Sequence, residues 1–344
     1  MKRLESTIEI PPSEKTFANG LLIELVQALR SSQRGDLIGL TAGDPSVAED
    51  LDRWSRLTRN AVVGTTAESG GTRWVIRHGE VPPEEAARRI GSRLWLYTNF
   101  DCNLACTYCC VRSSPRRPRR ELGLEKIRRI AQEATLLGVE EIFLTGGEPF
   151  LLPDVAEIIA VCSRAAETTV LTNGMLLKGS KLQALRALSP ERVTFQVSVD
   201  SPDPELHDRN RGAGSWQRAI EGIARVRELG FRVRYAATVE NDHEARRFER
   251  FLDESKVVSV DRVIRRIALR GFAEDGVALS RADIVPEVTI TDQGVHYHPV
   301  GADDDDFLLT PDSLPLAGAI DAVKRKFSEE SAHRTSMASI FNCA

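Results

Sequence analysis

The 344-residue sequence has no long apolar run. No stretch reaches the roughly 18 consecutive apolar residues that a membrane helix needs, so no span is expected. The opening residues, MKRLESTIEIPPSEK, carry no apolar block behind their basic pair, and no signal peptide is read there. Charge of one sign is not in excess. The formal net charge is −4, which gives no whole-molecule attraction to nucleic acid or to an anionic membrane. There is no internal repeat beyond strand–helix alternation and no long low-complexity tract. Cysteine is scarce, with six in all. A cytoplasmic location is expected from these absences. Thiols stay reduced there, so clustered cysteines are expected to bind metal or do chemistry rather than form disulfides.

What is present suggests two domains on length alone. Residues 1–80 read as a small α+β unit. STIEI (6–10), DLIGLTA (36–42), AVVGTT (61–66) and TRWVIR (72–77) read as strands. Leu21, Leu22, Leu25, Val26 and Leu29 recur with a helical period, and a second helix follows the turn at Gly43–Ser46. The order is β-α-β-α-β-β. Residues 81–92 are read as a linker, since the stretch GEVPPEEAARR (79–89) is rich in proline and charge.

From residue 93 strands and helices alternate. Strands are expected at LWLYT (94–98), EEIFLT (140–145), TTVLT (168–172), RVTFQVSVD (192–200), FRVRYAATV (231–239) and VDRVIRRIAL (260–269). Six consecutive βα units imply parallel strands with right-handed crossovers. Six falls short of the eight of a closed barrel, so an open or partial barrel is expected over 93–270. In such sheets the reactive groups sit at the C-terminal ends of the strands. Residues 271–344 break the rhythm and are read as an extension covering the barrel. It has a hairpin from PEVTIT (286–291) and VHYHPV (295–300), an aspartate loop (303–306) read as solvated, and a helix at 314–327.

Four of the six cysteines fall in FDCNLACTYCC (100–110), directly after the first strand of the series. Cys102, Cys106 and Cys109 have the spacing C-x3-C-x2-C. Three thiolates this close can wrap one soft metal centre. A structural zinc site takes four ligands, and adjacent Cys109 and Cys110 would strain to reach one ion. A four-iron cluster is usually held by four cysteines, so three would leave one iron open.

C-x3-C-x2-C with Tyr108 before the last cysteine resembles the signature of the radical S-adenosylmethionine (SAM) superfamily. Its fold is a partial (β/α)6 barrel. Three more stretches carry the resemblance, each at a strand end: Gly146-Gly147-Glu148-Pro149, Thr172-Asn173-Gly174, and Ser198-Val199-Asp200-Ser201 with Arg211 downstream. The resemblance implies that Cys102, Cys106 and Cys109 hold a [4Fe-4S] cluster whose open iron is chelated by SAM. It places Tyr108 near the adenine. It gives Gly146, Gly147, Glu148 and Pro149 the SAM amino group, and Ser198, Asp200 and Arg211 its ribose or carboxylate. It implies reductive cleavage of SAM to a 5′-deoxyadenosyl radical, which takes a hydrogen atom from a peptide, cofactor precursor or small metabolite. A ferredoxin- or flavodoxin-like electron donor is implied as partner.

The remaining features have plainer readings. Cys110 is read as a packed thiol outside the ligand set, and Cys162 as core. Cys343 is read as a free thiol, or as one folded back over the barrel mouth; alone it cannot hold a further cluster. His296 and His298 share one face of a strand and are read as solvent-facing. The basic run at 112–120 is read as a solvated loop, or as a docking patch for an acidic donor protein or an anionic substrate. The N-terminal unit resembles the SirA/TusA-like sulfur-carrier domain through residues 18–22, 42–46 and 73–77, but Ile23-Glu24 stand where that family has its Cys-Pro pair. The resemblance therefore implies a docking or substrate-presenting module, or a remnant. Two other readings stay open: a non-catalytic metal-binding interaction protein, and a sulfur-transfer enzyme.

Overall fold

The structure is a computed structural model. It describes residues 6–331 apart from 18, 19, 33, 34, 59, 69, 80–89, 282 and 283. Most of the expected linker, and the chain end with Cys343, lie outside the described residues. No helix among the described residues is long and apolar enough to cross a membrane. The chain divides into two compact units, with described residues 6–79 in the first and 90–331 in the second.

The first unit runs β1 (Ile8–Ser13), α1 (Leu21–Ser31), β2 (Leu37–Ala42), α2 (Ser46–Thr58), β3 (Ala61–Glu68) and β4 (Gly71–Arg77). This is the order read from the periodicity. The sheet order is β1-β2-β4-β3, with β1 and β2 parallel and the other pairs antiparallel. Leu21, Leu25 and Ala28 of α1 and Val47, Leu51 and Trp54 of α2 recur every three or four residues. They close over Ile10, Ile38, Leu40, Trp74 and Ile76.

The second unit holds one nine-stranded sheet. Six of its strands are parallel neighbours in chain order: β5 (Arg93–Asn99), β6 (Glu141–Gly146), β7 (Glu167–Thr172), β8 (Val193–Ser198), β9 (Arg232–Val239) and β10 (Arg262–Arg266). Helices α3 (Leu124–Leu137), α4 (Val155–Ala165), α5 (Gly179–Leu185), α6 (Pro204–Arg211), α7 (Ser215–Glu228) and α8 (Asp242–Glu254) fill the crossovers. In α3 the buried residues are Ile127, Ile130, Ala131 and Ala134, a single stripe. The helix stops at Gly138, whose φ of 69° is the left-handed cap that glycine adopts without a Cβ penalty.

Two features differ from the sequence reading. The segment after β8, where polar residues suggest a loop, contains α6. Its start is built by Asp203, which accepts from the Glu205 N–H at 3.0 Å, and by Pro204 in the first turn. The hairpin read over 286–300 is present, with β11 (Val288–Ile290) and β12 (Val295–His296) antiparallel, but it does not stand apart. β11 pairs parallel with β5, and β12 and β13 (Leu308–Thr310) continue the sheet antiparallel. The sheet order is therefore β10-β9-β8-β7-β6-β5-β11-β12-β13, with α9 (Leu316–Ser331) after it. His296 and His298 are buried, not solvent-facing, because β12 lies inside this extension.

Candidate functional site

The C-terminal ends of the parallel strands surround a cavity of about 1070 Å³ counted to its open mouth. Tyr97 on the first of these strands and Arg265 on the last line the same space, so the sheet curls around it. Cys102, Cys106 and Cys109 all line it, with Tyr108, Gly146, Gly147, Ser198 and Arg211. The structure thus brings together eight of the eleven residues singled out in the sequence. Glu148, Pro149 and Asp200 are not among the lining residues.

The cysteine loop is shaped to present sulfur. The Leu104 N–H points at Cys102 Sγ at 3.4 Å, and the Ser113 N–H at Cys109 Sγ at 3.3 Å. Asn173 Nδ2 stands 4.0 Å from Cys102 Sγ and donates to Asn103 Oδ1 at 2.8 Å. Backbone donors aimed at sulfur favour the thiolate. Burial works the other way. It pushes the Cys102 thiol well up, with Glu148 adding to the rise, and the Cys106 thiol up to about 11. By themselves these two thiols keep their protons, and a metal cluster would supply the positive charge that lets them bind as thiolates. Among the described residues no group of three or more His, Cys, Asp or Glu is arranged about a single ion. A four-iron centre has a body of its own and takes its thiolates further apart than one zinc does, so the soft donor set fits a cluster.

Cys110 also lines the cavity, but it packs against the group formed by Tyr97, Phe100, Val111 and Ala302. Gly271 is what allows the loop to sit there. A Cβ at this residue would lie 2.1 Å from Cys109 O, and its φ is +66°.

Glu148, expected to help hold the SAM amino group, is fully buried and does not line the cavity. Its carboxylate accepts from Thr172 Oγ1 at 2.8 Å, from the Asn173 N–H at 2.8 Å and from the Phe150 N–H at 3.0 Å. It ties the loop after β6 to the loop after β7. Burial nonetheless pushes it up to about 7, although these donors pull it down. Gly146 and Gly147 do reach the cavity, and their lack of side chains serves backbone packing. A Cβ on Gly147 would lie 1.9 Å from Asp101 O, and one on Gly146 2.2 Å from Asn99 O. Asn99, which the sequence reading overlooked, donates from Nδ2 to Asp101 O at 3.0 Å and to Glu148 O at 3.1 Å. It locks the cysteine loop to the glycine loop.

Asp200 is likewise an anchor. Arg211 donates to it twice, from Nε at 2.7 Å and Nη2 at 3.0 Å, and the Thr238 N–H donates at 3.1 Å. The Tyr108 hydroxyl donates to it as well. Burial alone would raise the Asp200 carboxyl, but Arg211 holds it below the ordinary range. With its oxygens so occupied, Asp200 places Arg211 and Tyr108 at the cavity. Helix α6 carries Arg211 and also His207, whose Nδ1 accepts from the Asp200 N–H at 3.2 Å. Burial, with Arg211 nearby, lowers His207 to about 4. The Asp203-Pro204 cap was the signal that could have found this helix.

The basic run is not a free patch. Arg112 meets Asp303 at 3.2 Å, Arg120 meets Asp303 at 3.2 Å and Asp292 at 2.9 Å, and Arg117 also pairs with Asp303. The aspartate loop read as solvated is thus partly buried, and it clamps the segment that follows the cysteines. Arg120 also lies 4.1 Å above the Phe100 ring.

Residues 96–253 match the model of the radical SAM superfamily. This part of the chain is similar to radical SAM domains, of a superfamily whose cofactors are a [4Fe-4S] cluster and S-adenosylmethionine. The curated relatives are enzymes. The chain is 35% identical over 140 residues to the AdoMet-dependent heme synthase of Methanosarcina barkeri, covering 40% of each chain. It is 34% identical over 142 residues to a probable GTP 3′,8-cyclase of Archaeoglobus fulgidus, covering 41% of this chain and 47% of that one. The chain thus spans less than half the length of either relative. Among solved structures, Streptococcus suis SuiB bound to S-adenosylmethionine aligns over 56% of this chain and 44% of its own, with 23% identity and a TM-score of 0.46.

Proposed function

We propose that this protein is a radical SAM enzyme, built on a partial (β/α)6 barrel, that begins its reaction by removing a hydrogen atom from its substrate. The observation that carries the reading is the set of three cysteines lining one cavity with Tyr108, Ser198, Arg211 and the two glycines of the β6 loop. A [4Fe-4S] cluster with one open iron and a bound SAM would supply a 5′-deoxyadenosyl radical.

The chain's own residues do the holding. Cys102, Cys106 and Cys109 are the cluster ligands. The Leu104 and Ser113 N–H groups orient two of the sulfurs. Ser198 and Arg211 face the same space and suit the ribose and carboxylate of SAM, with Tyr108 beside the adenine. Asp200 and Glu148 keep these loops in place from behind. Apolar walls from Trp95, Leu171, Pro299 and Val300 limit water around the reacting atoms.

A ferredoxin- or flavodoxin-like donor fits the need for a low-potential electron. A cytoplasmic setting suits a cysteine-bound cluster. The N-terminal unit is read as a degenerate SirA/TusA-like module that docks a partner or presents a substrate, since Ile23 and Glu24 offer no thiol at the start of α1. The named activities of the two relatives differ, and neither is carried over.

Anaerobic reconstitution with iron and sulfide tests the proposal. A brown protein that releases 5′-deoxyadenosine from SAM after reduction is expected. A colourless protein holding one stoichiometric zinc would sink it.

A further inference from the structure

A second hollow lies against the cysteine loop, about 720 Å³ counted to its open mouth. Asn103, Leu104, Ala105 and Thr107 form one side of it, and the end of α6 with the start of α7 forms the other. The Thr107 N–H donates to Asn210 O at 3.0 Å and fastens the two sides together. The hollow comes close to the ligand sulfurs. Leu104 and Met175 line it, and the same two side chains pack against Cys102 and Cys106. One layer of side chains thus lies between this surface and two of the three cysteines. Ala105 and Thr107, on either side of Cys106, are exposed. Their small side chains let a partner approach the loop backbone closely.

The charge of this hollow is one-sided. Arg209 of α6 and Arg218 of α7 line it, both exposed, and neither pairs with a carboxylate among the described residues. Arg211, the third arginine there, is neutralised by Asp200. No aspartate or glutamate among the described residues lines the hollow. A different cavity beside the loop, also reached by Cys106 and Tyr108, is lined by Glu240, Glu274 and Asp275 with Arg266, and its acids would repel an acidic partner. The basic run at 112–120 is the other candidate for recognising acid, but Asp303 already holds three of its arginines. The net charge of −4 gives an acidic partner no attraction to the molecule as a whole, so attraction has to be local.

We propose that this hollow is the docking surface for the electron donor, a small acidic one-electron carrier protein, with Arg209 and Arg218 as its anchoring charges. This rests on the radical SAM reading, in which the cysteines hold a cluster that must be reduced while SAM and substrate fill the larger cavity. One electron passes from the reduced carrier, which is left oxidised by one, to the cluster, and no bond or proton moves with it. Two unpaired guanidiniums meet carboxylates with planar forks, so they give orientation as well as attraction. Complementary charge of this kind speeds encounter and is weakened by salt. A carrier that must leave after each electron needs only a small interface.

The test uses the full chain with its cluster reconstituted. An oxidised flavodoxin and an oxidised plant-type ferredoxin, both acidic, are the probes, and calorimetry without SAM reads their binding. At least one is expected to bind the wild type, and more weakly as ionic strength rises. Arg209→Glu combined with Arg218→Glu is expected to weaken that binding by about tenfold, and lysine at both positions to keep most of it. Arg325→Glu, the reversal of another exposed arginine on α9, should leave it unchanged. Release of 5′-deoxyadenosine gives a second reading. The reversed pair should slow it with the reduced carrier but not with photoreduced 5-deazariboflavin, a small reductant that needs no docking. A wild type that binds neither carrier overturns the proposal, as does binding indifferent to salt or a reversed pair that binds like the wild type. An equal loss in Arg325→Glu would also overturn it, by making the effect one of overall charge. So would a reversed pair slowed equally with deazariboflavin, which would give the arginines to SAM or substrate. Failure of the underlying reading shows separately, as a wild type without cluster or without 5′-deoxyadenosine when deazariboflavin supplies the electron.

Discussion

Asp303 and Arg120 stand 183 positions apart in the chain and meet at 3.2 Å. Arg112 and Arg117 reach the same carboxylate. One acid from the last part of the sheet thus gathers three arginines of the segment that leaves the cysteine loop. Asp303→Asn removes the shared charge. A loss of about 1–3 kcal/mol is expected, less than for a fully buried pair because the arginines keep partial exposure. The cluster should also give up iron to a chelator faster than the wild type does. Unchanged release rates would mean that the clamp does not steady the loop.

On the proposed function the cysteines divide into ligands and a neighbour. Alanine at Cys102, Cys106 or Cys109 is expected to abolish the brown colour and most of the bound iron. Cys110→Ala should keep both, at the cost of a small packing defect beside Tyr97 and Phe100. Iron analysis after reconstitution decides it, and a colourless Cys110→Ala protein would move that thiol into the set.

Two buried carboxylates give pH dependences of opposite sign. Glu148 rises from 4.5 to about 7, so the folded state holds its proton more tightly than the unfolded one. Its contribution is fully present below 4.5 and is lost as pH rises towards 7. Asp200 is lowered from 3.8, so its contribution is present above that value and is lost as pH falls through the folded one. Urea midpoints across pH should show Glu148→Gln flattening the first window and Asp200→Asn the acid one. Asp200→Asn should also cost about 3–5 kcal/mol, because the Arg211 charge is left buried without its partner.

Gly147→Ala places a methyl carbon 1.9 Å from Asp101 O, which is backbone and cannot swing aside. Overpacking of this kind costs about 1–3 kcal/mol or more. Here it also pushes the glycine loop off the cysteine loop. Cluster content and SAM affinity are expected to fall together, read by iron analysis and equilibrium dialysis. Wild-type values for both would show that the two loops move independently.

What could be read in the sequence was local. The C-x3-C-x2-C spacing and the strand-end glycines are patterns within a few residues, and they lie just after β5 and at the end of β6. What escaped depended on distant partners. The basic run looked like a surface because its acids lie more than 170 positions away. His296 looked exposed because nothing local shows that β12 continues a sheet begun by β5. Glu148 and Asp200 stand behind the lining of the cavity, bonded to residues of neighbouring loops that the motifs do not show. A carboxylate facing a ligand and one bracing the loop behind it look alike in a motif. Helix α6 was legible, through Asp203 and Pro204, and was passed over.

The pairing of β11 with β5 bears on the order in which the protein is made. The strand that leads into the cysteine loop has β6 on one side early, but its other neighbour is Val288–Ile290. Until a ribosome has delivered that stretch, β5 is a bare edge, and the arginine segment has no Asp303 to grip. Cluster insertion into a settled loop therefore waits on late synthesis, and a chain interrupted before residue 288 would offer its thiols from an unfinished sheet.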